Sequence, residues 1–351
     1  MCYDSKSILN SPFSIKIIFW IITILSIFIH VFGAFCIIRK TPKTVQSARF
    51  WLFNFHLWGL FLDVLIGFAI TPYLFLPTLA FRAFGFLEGY EKMVPYFAIL
   101  TFAETGYSLV LLLENRLNSL TIGEVTRNRQ IFRAIFYFSN IIFPFLFPLI
   151  IFAYIPDQEI AKIEVIKTLP CLSEIPNIFI IVTDLNSISK ILIVFSFALF
   201  LVSFQCIILT FLMLKAFNSS ENRSSSKSTI ALQRKFITSI FIQKWIPLSS
   251  LLPPVFYAVF CVFNNYHWQK MTNFLIFVIN SHGIIGSLAM IYLHKNYRTT
   301  VINLIFRRRI KETLFESEQS KITKVIMQNN KMNSNINYLI VKHRISMTSI
   351  R

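Results

Sequence analysis

The chain has 351 residues, 55% of them hydrophobic and only 14% charged, with a formal net charge of +18. So small a charged share, against roughly 25% in a soluble domain, excludes an ordinary water-soluble fold. The positive charge is shared with nucleic-acid-binding proteins, but here it is concentrated between apolar runs, which argues against nucleic acid and for a membrane.

Seven apolar runs are expected to be helices, at 15–38, 50–79, 94–113, 134–154, 188–214, 236–263 and 271–293. A helix rises about 1.5 Å per residue, so about 20 residues cross a hydrocarbon core of about 30 Å. The fold class is therefore an all-α membrane protein, a seven-transmembrane helix bundle. An odd number of spans places the two termini on opposite sides. Residues 1–14 lack the basic start of a cleaved leader, so the first span is expected to serve as an uncleaved anchor.

Loop charge sets the direction. Segments 39–49, 114–133, 215–235 and 294–351 hold 4, 4, 5 and 12 Lys and Arg residues, whereas the alternate side holds 8 over its whole length. Basic residues in short loops stay cytoplasmic. The expected arrangement is an extracellular N-terminus at 1–14, a bundle at 15–293, and a cytoplasmic tail at 294–351. The tail's charge would also attract anionic inner-leaflet lipids.

Within this frame the connections differ. Residues 155–187 form the longest outer loop, acidic and carrying Pro156, Pro170 and Pro176, and are expected to cap the bundle. Residues 215–235 contain a Ser/Asn cluster unable to bury a core, and are expected to be mobile. At 297–309, Tyr297, Val301, Ile302, Ile305 and Phe306 fall on one side of an expected amphipathic helix on the inner leaflet. A disordered basic tail is expected beyond it. Pro72, Pro77, Pro144, Pro148, Pro247, Pro253 and Pro254 lie in apolar runs, where proline kinks a helix, and Pro247 is a candidate hinge.

Three ionisable residues sit deep in the spans: Asp63, Glu104 and Lys244. A buried charge costs at least about 2.5 kcal/mol on the most lenient insertion scale, so each should face the interior and find a partner. An ion pair of Lys244 with Glu104 or Asp63 is one such arrangement, and its breakage could act as a switch. Glu114-Asn115-Arg116 closes the third span, where an acid and a guanidinium suit a contact with a partner protein. Of the five cysteines, Cys171 could pair with Cys261 or with Cys2 on the oxidising side. No enzyme is indicated. The six histidines lack metal-ligand spacing, and there is no G-x-S-x-G or phosphate-cradling glycine loop, so neither metal nor cofactor is expected.

A set of ordered motifs narrows the reading. These are Lys40-Thr41-Pro42-Lys43, Asn54-Phe55-His56-Leu57-Trp58 followed by Asp63, and Thr71-Pro72-Tyr73-Leu74-Phe75. Glu114-Asn115-Arg116, Ile155-Pro156-Asp157-Gln158-Glu159 and Leu169-Pro170-Cys171 follow. Ile242-Gln243, Ile246-Pro247, Ser281-His282-Gly283, His294 and Tyr297-Arg298 complete the series. In order and spacing the chain resembles the nematode serpentine receptors of class H, seven-transmembrane chemoreceptors of the G-protein-coupled type, over about 15–309. The resemblance implies a receptor in the plasma membrane of sensory neurons, in their cilia, that detects small environmental chemicals and signals through a heterotrimeric G protein. The family's His-x-Pro-Tyr-Arg motif carries Asn296 here in place of proline.

On that reading, a cavity in the outer half of the bundle is expected to use Thr101, Glu104, Tyr257, Phe277 and Asn280, and aromatic richness suggests an apolar odorant or pheromone-like ligand. Glu114, Asn115 and Arg116 are the expected G-protein contacts. Two other classes remain in view. A ligand-gated channel of the insect odorant-receptor kind would place the N-terminus inside, against the charge count. A small-molecule transporter would show internal repeats and glycine-broken helices, neither of which is visible.

Overall fold

The computed structural model describes residues 9–121, 126–221, 227–304 and 306. Its first unit, Met1–Tyr297, holds the bundle. The long helices are α1 (Pro12–Lys40), α2 (Arg49–Val64), α3 (Val94–Leu120), α4 (Arg127–Leu146), α6 (Leu185–Glu221), α7 (Lys227–Asn264) and α8 (Gln269–Leu293), with a short α5 (Gln158–Thr168) between α4 and α6. Among the described residues six helical stretches are long and apolar enough to cross a membrane, and Leu252–Asn264 is a shorter apolar part of α7.

Side chains from the sequence set several helix starts. The Ser11 hydroxyl accepts from the Ser14 N–H ahead of Pro12, and the Asp157 carboxylate accepts from the N–H groups of Glu159 and Ile160 to open α5. Asp184 does the same for α6: it accepts from the Ser187 N–H at 2.7 Å, which holds its carboxyl below the usual range. Pro144 lies inside α4, and from Phe147, with Pro148 next, the helix tightens to 3-10 turns through Ala153.

The central helix is α3, packed against α2, α4 and α6, while α1 packs on α2 and α8, and α8 on α7. Polar or small residues on these seams are buried, and large apolar side chains such as Phe28, Phe132, Phe197 and Phe256 stand outward. In water this would be an aggregation surface, but in lipid it is the ordinary exterior.

The second expected span, 50–79, is shorter in the structure. The helix passes into a π-helical segment, Leu65–Ile70, and ends where Thr71 takes a left-handed conformation, φ 44°. Pro72 and Pro77 therefore do not kink a span. Proline brings no N–H to a helical ladder, and the apolar residues that follow instead form strands β1 (Pro72–Phe75) and β2 (Ala80–Ala83). This antiparallel hairpin pairs Pro72 with Ala83 and Phe75 with Ala80. A third strand, β3 (Phe179–Ile180), joins β2 through Phe81–Phe179 and Ala80–Ile180. Extended apolar residues and helical ones look alike in a short run, so hydropathy alone missed the hairpin.

The 155–184 segment caps this end of the bundle, through α5, a 3-10 turn at Pro170–Glu174 and β3. Gln158 fastens it: its amide N–H donates to the Ile180 carbonyl at 3.0 Å, and its carbonyl oxygen accepts from the Ile180 N–H at 2.9 Å. The hairpin is also tied to the chain's start and to α8. Tyr73 donates to the Asn10 carbonyl, Asn273 to the Leu9 carbonyl, and Gln269 to the Leu74 carbonyl.

Cys171, in the cap, is disulfide-bonded, whereas Cys261 is a free thiol fully buried in α7. The pairing of Cys171 with Cys261 is thereby excluded, because Cys261 is packed within the bundle instead of facing the cap. Cys2 lies outside the described residues. The expected mobile segment 215–235 is largely helical, as α6 runs to Glu221 and α7 starts at Lys227. α7 continues through Pro247, Pro253 and Pro254. The second unit, Arg298–Arg351, is described at 298–304 and 306, which are helical with Ile302, Leu304 and Phe306 exposed. The rest of the expected amphipathic helix and the tail lie outside the described residues.

Candidate functional site

Polar side chains from α1, α2 and α8 meet in the middle of the bundle around Asp63. Its side chain is 0% exposed, and the Ser26 hydroxyl donates to Oδ2 in a short hydrogen bond. His30 Nε2 lies 3.4 Å from the same oxygen. His282 Nδ1 is 3.5 Å from Oδ1 but only 2.7 Å from the Ile279 carbonyl. A carbonyl can only accept, so His282 carries its proton on Nδ1 and directs it to Ile279. Oδ1 of Asp63 accepts no hydrogen bond among the described residues. His56 adds a second layer: its Nε2–H donates to the His30 carbonyl at 2.9 Å, and the two rings stand 4.5 Å apart. Ser287 Oγ is 3.4 Å from either ring nitrogen of His30.

The close approach of α8 to α2 depends on a residue without a side chain. A Cβ on Gly283 would lie 2.2 Å from Asp63 Oδ2, and one on Gly67 would lie 1.8 Å from Thr23 Oγ1. A cavity of about 40 Å³ adjoins the cluster, lined by His30, His56, Thr105, His282 and Ser287 among others. The carboxylate has one firm donor, Ser26, and an imidazole within 3.5 Å of each oxygen. Such a cluster can exchange hydrogen bonds between three helices.

The expected ligand residues are spread more widely. Thr101 is buried and returns its hydroxyl to the Phe97 and Ala98 carbonyls of its own helix. Glu104 is buried, and its Oε1 accepts no hydrogen bond among the described residues. Asn280 is 1% exposed, and both its amide atoms are without a described partner, facing the position of Gly67. Phe277 meets Phe19 edge to face at 6.5 Å, and Tyr257 donates to the Trp268 carbonyl at 3.2 Å near the cap end. The 40 Å³ cavity is lined by none of these five. The Lys244 side chain lies outside the described residues, as does that of Pro247, while Asp63 is engaged by Ser26 and flanked by two histidines.

At the opposite end of α3, Glu114 is held by Arg133 of α4 through Nε at 2.7 Å and Nη2 at 3.2 Å, instead of by its neighbour Arg116. The Arg133 guanidinium also lies over Tyr137, whose ring meets Trp51 at 4.8 Å. Arg116 is 2% exposed, and the Asn115 Oδ1 is buried without a described partner. Nearby, Tyr297 is fully buried, shares a 2.8 Å hydrogen bond with Thr41, and stacks on His294 at 4.8 Å. Burial pushes the Tyr297 phenol up to about 12, against the Thr41 hydrogen bond.

His30, His56, His282 and Ser26 were not legible as a site from spacing. The signal that would have found them is the one that flagged Asp63. Any hydrogen-bonding side chain within an apolar run needs a partner there, and applying that test to neutral side chains brings these four forward.

A bundle of apolar helices around buried polar clusters, capped at one end, is the architecture of a seven-helix membrane receptor. Over 85% of this chain and 86% of its own, squid rhodopsin superposes with a TM-score of 0.56 at 13% identity, a likeness of fold. The model of the family described as the serpentine type 7TM GPCR chemoreceptor Srh matches residues 10–307. The chain belongs to that family. Serpentine receptor class H-72 of Caenorhabditis elegans is 23% identical over 295 residues, covering 82% of this chain and 85% of the relative. The chain is thus a multi-pass membrane protein of a receptor family, not of an enzyme family.

Proposed function

We propose that this chain is a chemosensory receptor that binds a small environmental chemical, odorant or pheromone-like, and signals through a heterotrimeric G protein. The observation that carries the reading is the buried polar cluster at Asp63, which joins α1, α2 and α8. A bundle that only had to pack would be more stable with apolar side chains there. Hydrogen bonds that can be exchanged between three helices instead suit a bundle with two arrangements.

In this reading the cap end faces outward and the basic end faces the cytoplasm, against anionic lipids, in the plasma membrane of sensory cilia. Ligand enters from the cap end and meets Thr101, Glu104, Tyr257, Phe277 and Asn280. Glu104 and Asn280 support the assignment, since each buries polar atoms with no described partner. Lys244 is the partner of Glu104 or Asp63 in this reading, and breaking that pair on ligand binding releases the sixth span, with Pro247 as its hinge. Glu114, Asn115 and Arg116 form the inner contact with the G protein, with the Glu114–Arg133 pair holding α3 to α4 until the partner docks.

The test is a ligand panel on cells expressing the full chain, read as calcium or cyclic nucleotide. Arg116→Ala is expected to abolish the response at unchanged surface expression. An unchanged response removes Arg116 from the coupling role. A C-terminal tag reached by antibody on intact cells would overturn the orientation, and a ligand-gated current without G-protein dependence would favour a channel.

A further inference from the structure

The cap holds a cavity of its own, apart from the bundle. It measures about 180 Å³ and is lined by Lys162, Val165, Ile166, Leu172, Ile178 and Ile180 among others. Val165, Leu172, Ile178 and Ile180 are buried and give it an apolar wall. A dry cavity of about 150 Å³ is large enough to take a benzene-sized solute, so this one has room for a short hydrocarbon chain. Its charged lining residue is Lys162. The ammonium group is 3.5 Å from Glu159 Oε1, with the two side chains 42% and 87% exposed. An exposed pair of that kind contributes little and exchanges readily. A pocket with an apolar wall, polar residues Ser173 and Asn177 on its lining and, among the described residues, a loosely held cation at its edge fits a ligand with an apolar tail and one anionic head.

We propose that this cap cavity binds a short-chain aliphatic monocarboxylate, of about six to eight carbons, with its tail against Val165, Ile166 and Leu172 and its carboxylate on Lys162 in place of Glu159. The cavity is formed by α5, the 3-10 turn and β3, and the Gln158 clamp on Ile180 fixes α5 to β3. The proposal does not depend on signalling or on which ligand the bundle takes.

The test is equilibrium binding of labelled hexanoate and of 1-hexanol to the full chain in nanodiscs, with empty nanodiscs subtracted. Saturable hexanoate binding is expected. Lys162→Met should weaken hexanoate by about tenfold or more and leave hexanol within about twofold, because only the charged head loses its partner. Ile166→Trp should weaken both by filling the wall. Each variant is scored only with an unchanged melting temperature, and Ile166→Phe serves where Ile166→Trp does not fold. Lys92→Met, an exposed lysine outside the cavity lining, should change neither. Absence of saturable binding overturns the proposal. So does binding that survives both cap variants, or a loss of hexanoate binding in Lys162→Met no greater than in Lys92→Met.

Discussion

Gly283→Ala tests the packing of the polar cluster most directly. An added Cβ would sit 2.2 Å from Asp63 Oδ2 and 2.6 Å from its Cγ, where a carboxylate already bonded to Ser26 has no room to retreat. Gly286 is the control on the same helix, since its Cβ would meet only Ile246 Cγ2 at 4.0 Å. Both substitutions gain about 1 kcal/mol of helix propensity. Only Gly283→Ala adds overpacking, about 1–3 kcal/mol, and a disturbed buried hydrogen bond, about 1–3 kcal/mol. The two variants should therefore differ by about 2–6 kcal/mol, with Gly286→Ala neutral or stabilised. The chain carries its own reporter: Cys36, Cys206 and Cys261 are buried thiols outside any disulfide, so a thiol-reactive dye lights up as the bundle unfolds. Adding Asp63→Ala to Gly283→Ala should restore part of the loss relative to the sum of the single changes, because it removes the clashing group. Equal melting of Gly283→Ala and Gly286→Ala would refute the close approach.

Three further expectations follow from the contacts at the two ends. Arg133→Ala should destabilise the bundle by about 1.5–3 kcal/mol, as the loss of a charged hydrogen-bonded pair, and should be nearly silent in a Glu114→Gln background; additive losses in the dye assay would count against the pair. Tyr297→Phe should cost about 1 kcal/mol through the Thr41 hydrogen bond. Because burial raises the Tyr297 phenol to about 12 from an unfolded value of about 10, its stabilisation is complete below about pH 10 and fades between about pH 10 and 12. The stability gap between wild type and Tyr297→Phe should narrow over that window, and a gap that is flat through pH 12 removes the linkage. Gln158→Ala should free the Ile180 N–H, seen as faster amide exchange at Ile180 while exchange in α3 stays unchanged; protection at Ile180 equal to wild type would show that the sheet alone holds β3.

The long helices were legible because six of them, among the described residues, run a membrane-sized length with few charges, a signal summed over about 20 residues, and α7 adds the shorter apolar part Leu252–Asn264. The cap was legible as a long acidic loop with three prolines. The hairpin was not: Pro72–Phe75 continues an apolar run that begins as a true helix, Ala80–Ala83 follows just past the end of that run, and what separates strand from helix is the left-handed turn at Thr71 and the pairing with Phe179 and Ile180, a contact about a hundred residues away. The site was half legible. Asp63 stood out by its charge, but its partners Ser26, His30 and His282 are polar residues on two other helices, and only the fold assembles them. Glu114 and Arg116 were found together in sequence, yet Glu114 turns to Arg133, because neighbours along a helix point apart while facing helices bring distant residues into reach.

The cap sheet and the buried carboxylate are joined through strand pairing and the chain of α2. Ile180 belongs to β3 and to the wall of the cap cavity; β3 pairs with β2, β2 with β1, and β1 runs back through Thr71 into α2, which carries Asp63. Between Thr71 and Asp63 stands the π-helical segment Leu65–Ile70, a wider turn than the α-helix on which it is built. A strand shifted at the surface thus acts on the carboxylate as a hand acts on a tethered weight, through a short spring. The stiffness of those six residues would set how much of a displacement of β3 reaches Asp63.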